Sequence, residues 1–337
     1  MRTGVTHLIY CGVISVDSGN DVRAAKPPRT FLEQVEILKN RNLIVEDEPS
    51  AIDILSRVNY YRLSGYGLSF RAKENKSKKL SNQFKPGTTF NTVFRVYEFD
   101  RKLRILFYGL LEQIEISART SIAHYLSHMY QDSLCYEDET IFEEPSRHSQ
   151  FMSKVNVAIE DARRGRELFV RHHDAHYSGK LPIWSLVELL SFGTLSIFYS
   201  NLKSEHKRGI ADRFYGVPYR YLQSWWRTLC YTRNTCAHYS RLYNKPLSVT
   251  PELFPEDKAT FGNRRIFAAI FVSGIICPDE MEWATFENNL ETLIEAYSED
   301  IELWRLGFPQ NWKNLLRDTI MTRRFTLAAN RIKQSYF

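Results

Sequence analysis

Residues 233–244 read RNTCAHYSRLYN, which sets a guanidinium (Arg233), a carboxamide (Asn234) and an imidazole (His238) within one and a half helical turns. They continue the stretch YLQSWWRTLCYT, whose Leu222, Trp225, Trp226 and Leu229 recur at the three-and-four spacing of a buried helical face. Arg233 takes the next place on that stripe. A histidine titrates near neutrality and can take up or give a proton at a reacting group. An arginine can clamp an anion through two parallel N–H bonds. Asn234, four residues before His238 and so on its face, can fix the imidazole tautomer or hold a phosphate. A guanidinium on a core stripe is costly unless something anionic meets it, either a protein carboxylate or a bound phosphate. The internal candidate is Glu188, stranded in the apolar run WSLVELLSF.

An arginine and a histidine separated by four to six residues recur along the chain, as Arg119 with His124, Arg166 with His172 and His173, Arg171 with His176, and Arg233 with His238. Chance supplies about two such pairs in a chain with this many of both residues, so the spacing carries little weight. Placement singles out the last pair, because there two adjacent stripes of a core helix turn polar together. Arg119 is expected to pair with Glu115, one turn earlier, and the Arg119–His124 spacing is read as accidental. His172 and His176 are i,i+4 with His173 between, a spacing found on zinc-binding helices. No HExxH, CxxC or third ligand accompanies them, so the reading is no metal and no cofactor, with His172 solvated, facing phosphate or purely structural.

The elements that must position these residues are helical. Pro27 and Pro28 punctuate, and Thr30 with Glu33 is a capping box opening FLEQVEILKNR. A short helix is expected over SAIDILSRV, and a turn with extended segments over NYYRLSGYGLSFR. KENKSKKLSNQ, residues 73–83, reads as an exposed loop whose Lys76, Lys78 and Lys79 could touch RNA. From about Asn91 to Tyr130, Val93, Val96, Leu103, Leu106, Leu110, Ile114 and Leu126 mark one long helix or two in series. Residues 131–150 read as a loop, NVAIEDARRGRELFVRHHDAHY as helical, and PIWSLVELLSFGTLSIFYSNL as a helix buried in a bundle. Two more helices are expected around RRIFAAIFVSGII and ENNLETLIEAYSED, before a basic tail. The division is a tail (1–25), an N-terminal helical and aromatic subdomain (26–90), a helical core (91–250) and a C-terminal helical region (251–337). The fold class is all-α.

Composition narrows the setting. An apolar fraction of 43% supports a sizeable core, and no apolar run approaches the roughly 20 residues that span a bilayer. The N-terminal MRTGVTHLIYCGVISVDSG lacks a small-x-small cleavage site, and five scattered cysteines make no disulfide framework. The expectation is a soluble protein of a reducing cytoplasm. A net charge of +6 with 29 arginines permits a polyanionic partner without requiring one.

Six blocks in order carry a resemblance: KPPRTFLEQVEILKNRNL, RVNYYRLSGYGLSFR, FKPGTTFNTVFRVYEFDRKLR, EQIEISART, LPIWSLVELLSFGTLSIFYSNL and SWWRTLCYTRNTCAHYSRLYNK. Over about residues 26–250 the chain resembles the bacterial abortive-infection (Abi) proteins of the AbiD and AbiF type, which belong to the HEPN superfamily of helical ribonucleases. The resemblance implies a HEPN-like helical bundle with helical extensions at both ends. It places the family's R-N-x3-H element on Arg233, Asn234 and His238, and its RT element on Arg119 and Thr120. Glu188, Glu115 and Arg241 are read from the residues themselves as supporting positions. The resemblance also implies a phage-defence or toxin-like, metal-independent endoribonuclease of the bacterial cytoplasm that leaves 2′,3′-cyclic phosphate ends. RNA is the expected substrate, and a small non-coding RNA or a protein the neutralising partner. A homodimer is expected, with neither DNA nor membrane as partner. The alternative is a non-catalytic RNA-binding or infection-sensing protein.

Overall fold

Short polar side chains that satisfy free N–H groups set the helix starts. The computed structural model describes residues 27–73 and 80–335, with side chains as far as Leu327. The expected tail 1–25 and the candidate residues Lys76, Lys78 and Lys79 therefore lie outside the described residues. Thr30 and Glu33 form the capping box at the head of α1 (Phe31–Lys39). Asp47 caps α2 (Glu48–Arg57), with Pro49 in the first turn, where its missing N–H is not needed.

The aromatic stretch that follows corrects the expectation of extended segments. Tyr60–Gly67 is a helix, α3, because the Asn59 side chain accepts the Tyr61 N–H, and Leu63 and Tyr66 bury at helical spacing. Gly67 lets this helix approach β2 closely, since a Cβ there would lie 3.1 Å from the Phe84 ring. A 3₁₀ turn leads to β1 (Arg71–Lys73), which pairs antiparallel with β2 (Leu80–Phe84). The lysine-rich segment thus has strands at its ends where a loop was expected.

Helix α4 (Phe90–Tyr130) is a single element of 41 residues, capped by Thr89. Its expected apolar face is buried, except that Leu106 is only half-buried. The same face buries three charged residues, Asp100, Arg104 and Glu115. Helices α5 (Pro145–Gly165) and α6 (Leu168–His176) are divided at Arg166, which takes a left-handed conformation. The Pro182–Leu202 run is two helices rather than one, α7 (Ile183–Leu189) and α8 (Phe192–Asn201). Ser191 accepts the Thr194 N–H and starts the second. Then come α9 (Ser204–Ile210), α10 (Tyr219–Ala237), α11 (Pro255–Thr260), the wholly buried α12 (Ile266–Ile276), α13 (Glu280–Ala296), α14 (Trp312–Asn314) and α15 (Ile320–Ser335).

The fold is all-α with a two-stranded ribbon. Helix α4 is its axis, touched by α3, α7, α8, α9, α10, α12 and α13. Buried apolar side chains from Val35 to Ile320 form one continuous core. Trp225 and Trp226 of α10 are at its centre, fully buried, and truncating either to alanine would cost about 3–5 kcal/mol. No described helix is long and apolar enough to cross a membrane.

Candidate active site

Leu222, Trp225, Trp226 and Leu229 are fully buried, as their spacing requires. Beyond Leu229 the stripe runs through Thr232 and Cys236, so the next step is three residues and not four. Arg233 is consequently at the margin of the core, its side chain 30% exposed. Its anion is Glu115 of α4, not Glu188. Glu188 is exposed and lines a separate cavity with residues of α5 and α8. Packing α10 against the middle of α4 makes this choice, because it faces Arg233 toward α4.

Glu115 serves two guanidiniums. Its Oε2 lies 3.3 Å from Arg233 Nε, and its Oε1 accepts from Arg119 Nη2 at 2.5 Å, the pairing expected one turn along the helix. Arg119 also donates to the carbonyl of Val187, which ties α4 to the end of α7. The Arg233 guanidinium stands 5.6 Å from the Tyr108 ring centroid. Together Tyr108, Glu112, Glu115, Ile116, Arg119 and Arg233 line a cavity of about 270 Å³. Two carboxylates there face two guanidiniums, so the formal charge is balanced. Glu112 is exposed at the rim and has no ion-pair partner among the described residues.

Arg233 Nη1 donates to Asn234 Oδ1 at 3.3 Å, and Asn234 Nδ2 approaches Cys230 Sγ at 3.9 Å. Burial, reinforced by the Glu115 charge and opposed by Arg233, pushes the Cys230 thiol up to about 11. It stays protonated at neutral pH and is a poor nucleophile. His238 is the C-cap of α10, and its backbone N–H donates to the Asn234 carbonyl at 2.9 Å. Its imidazole is exposed and makes no hydrogen bond, ion pair or ring contact among the described residues. Arg233, Asn234, Arg119 and Glu115 are thus brought together, while His238 stands free at the end of the same helix and Glu188 lies apart.

A buried network that the sequence reading missed holds the chain as it leaves His238. Asp100, fully buried, accepts the backbone N–H groups of Tyr243 (2.7 Å) and Leu242 (3.1 Å) and the Tyr66 hydroxyl (2.7 Å). It also pairs with Arg104, which is itself buried and donates to the Tyr66 hydroxyl at 3.1 Å. Burial pushes the Asp100 carboxyl upward, opposed in part by the adjacent Arg104 guanidinium and by the Tyr66, Tyr243 and Leu242 donors. The signal was present in the sequence. Asp100 and Arg104 interrupt the apolar face of α4 at i,i+4.

The remaining candidates are elsewhere. Arg119 turns toward Glu115, whereas His124 stacks on His128 at 4.0 Å and meets Phe214, so Arg119 and His124 form no common constellation. His172 is exposed on α6 and lies 4.8 Å from His176 between ring centroids. Among the described residues no three His, Cys, Asp or Glu groups converge as a metal site. Arg241, three residues past His238, lies over the Tyr66 ring and away from the Glu115 cavity.

No curated protein and no solved structure matches the chain. The sequence profile described as Abi-like protein matches residues 53–244, which run from α2 through α10 and include Asp100, Glu115, Arg119, Arg233 and His238. That match spans more than half of the chain, and the chain therefore belongs to the Abi-like protein family.

Proposed function

We propose that this chain is a phage-defence endoribonuclease of the HEPN type, acting in the bacterial cytoplasm without a metal ion. The observation that carries the reading is one helix end, inside the region shared with the Abi-like family. There a partly exposed guanidinium held by a buried carboxylate stands one and a half turns from an exposed, unpartnered imidazole.

In this reading His238 takes the proton of a ribose 2′-hydroxyl as O2′ attacks the adjacent phosphorus. The P–O5′ bond breaks, and the departing O5′ takes a proton from a second acid. The products are a 2′,3′-cyclic phosphate and a 5′-hydroxyl. Arg233 stabilises the charge that grows on the phosphoryl oxygens, with Glu115 and Arg119 fixing its position and Asn234 its near neighbour. Among the described residues His238 is the one imidazole at this helix end, so the second acid is assigned to the His238 of a second copy in a two-fold dimer. The outer face of α4 supports that assembly. Ile105 (62% exposed), Gly109 with open space beside it, Glu112 and Ile116 (48% exposed) form a solvent-facing stripe beside the Glu115 cavity. A neutralising partner, a small RNA or a protein, keeps the enzyme inactive in resting cells.

The test is His238→Ala. The variant should fold as the parent does, lose RNA cleavage in EDTA and lose toxicity in growing bacteria, while the parent leaves cyclic phosphate ends. Cleavage at the parent's rate, or parent activity that requires a divalent ion and leaves 5′-phosphates, would refute the assignment.

A further inference from the structure

The turn after His238 leads Arg241 into a region where cations gather without matching acids. The Arg241 guanidinium lies 5.9 Å from the Tyr66 ring centroid, and its Nη1 is shut off from solvent with no acceptor. Arg265, the N-cap residue of α12, has an Nη1 in the same condition. Burial, and then the charges of Arg305, Arg264 and Arg241, hold the Arg265 pKa below its usual value. Of these four guanidiniums Arg305 pairs with Glu302, whereas Arg241, Arg264 and Arg265 have no carboxylate partner among the described residues.

Separate parts of the chain converge to build the cluster. The Leu247 N–H donates to the Arg264 carbonyl at 2.8 Å, and Arg305 Nη2 reaches the Ser69 carbonyl at 3.4 Å. Gly307, at φ +85°, brings the Trp304–Arg305 turn so near Arg265 that a Cβ on it would lie 2.5 Å from Arg265 Cβ. A side chain there would be doubly excluded, by φ and by contact. Trp304 is 60% exposed, with the Arg305 guanidinium 4.4 Å from its ring centroid. The cluster adjoins the candidate active site along the chain, since Arg241 follows His238 by three residues.

We infer that Arg241, Arg264, Arg265 and Arg305 bind the phosphates of a single-stranded RNA, with the Trp304 ring stacking on one of its bases. Planar guanidiniums match phosphate oxygens in pairs, and several in one patch suit successive phosphates of a strand. An exposed ring among them stacks on bases that are not already stacked in a duplex. The identity of the strand as RNA rests on the ribonuclease reading above. The binding surface itself does not.

The probe is a fluorescein-labelled single strand of about 12 nucleotides with 2′-O-methyl riboses, which lack the attacking hydroxyl, read by anisotropy between about 50 and 200 mM salt. Arg264→Gln, at an exposed side chain, should weaken binding at least threefold. It should flatten the slope of log affinity against log salt by about 0.7, and the Arg264→Gln/Arg265→Gln pair by about 1.4. Trp304→Ala should cost at least fivefold, in line with loss of about one stacked base. Unchanged affinity in both Arg264→Gln and Trp304→Ala, or equal affinity for a duplex of the same sequence, would overturn the assignment. Because binding is read without cleavage, this result and the His238 test can fail independently.

Discussion

Asp100→Asn isolates what holds the candidate site together. The substitution keeps the shape of the side chain but removes a charge that is fully buried, and it leaves Arg104, only 4% exposed, without its ion pair. Breaking a buried pair from one side costs about 3–5 kcal/mol. The asparagine amide can also turn an N–H₂ toward the Leu242 and Tyr243 N–H groups, which now donate to the carboxylate. Unfolding entropy of about 2.1 cal/mol/K per residue gives about 0.7 kcal/mol/K for 337 residues, so the loss corresponds to a Tm lower by about 4–7 °C. Calorimetry would read it. The Asp100→Leu/Arg104→Met double variant should recover less than half of the loss. It removes the unpaired charge but leaves the two backbone N–H groups without an acceptor, at about 1–3 kcal/mol each. RNA cleavage should fall in both variants, because the segment anchored by Asp100 begins four residues beyond His238. An Asp100→Asn protein that melts within a degree of the parent would refute the claim that this network holds the turn, and full recovery in the double variant would show that the backbone bonds contribute nothing.

Glu112→Gln removes a rim carboxylate with no ion-pair partner from the Arg233 cavity and should tighten RNA binding about two- to fivefold at low salt, the scale of one exposed charge interaction; weaker binding would mean that Glu112 organises the site. His206 is 1% exposed, shares a hydrogen bond of 2.8 Å with Tyr130, and burial lowers its pKa. The folded state therefore binds this proton less readily than the unfolded chain, and stability should fall as pH drops below about 6.5. A Tm series from pH 7.5 to about 5 should show a steeper acid loss for the parent than for His206→Gln, and parallel curves would exclude His206 as the cause. Arg233→Ala protein should copurify with RNA at low salt, its affinity dropping at least tenfold between about 50 and 200 mM salt; protein that emerges free of nucleic acid would count against an RNA partner.

Helix positions were legible because they depend on local physics. The capping box at Thr30 and Glu33, the apolar face of α4 and the Trp225–Trp226 face of α10 follow from side-chain oxygens near N–H groups and from the 3.6-residue period. The period itself runs on through Thr232 and Cys236, so Arg233, Asn234 and His238 are a run of polar residue types at the margin of that face and not a break in it. Aromatic and glycine content misled the reading of α3, where an asparagine cap and two buried side chains outweigh two glycines. The apolar run after Pro182 hid a helix boundary, because burial on every face removes the period that would have revealed Ser191 as a cap. Only the tertiary structure could decide that Arg233 meets Glu115 rather than Glu188. Whether a stripe continues by three or four residues is degenerate along one helix, and packing against α4 resolves it. The Asp100 cradle and the Arg241–Arg265–Arg305 cluster are likewise tertiary, since each joins residues far apart in the chain whose mutual approach no local pattern encodes.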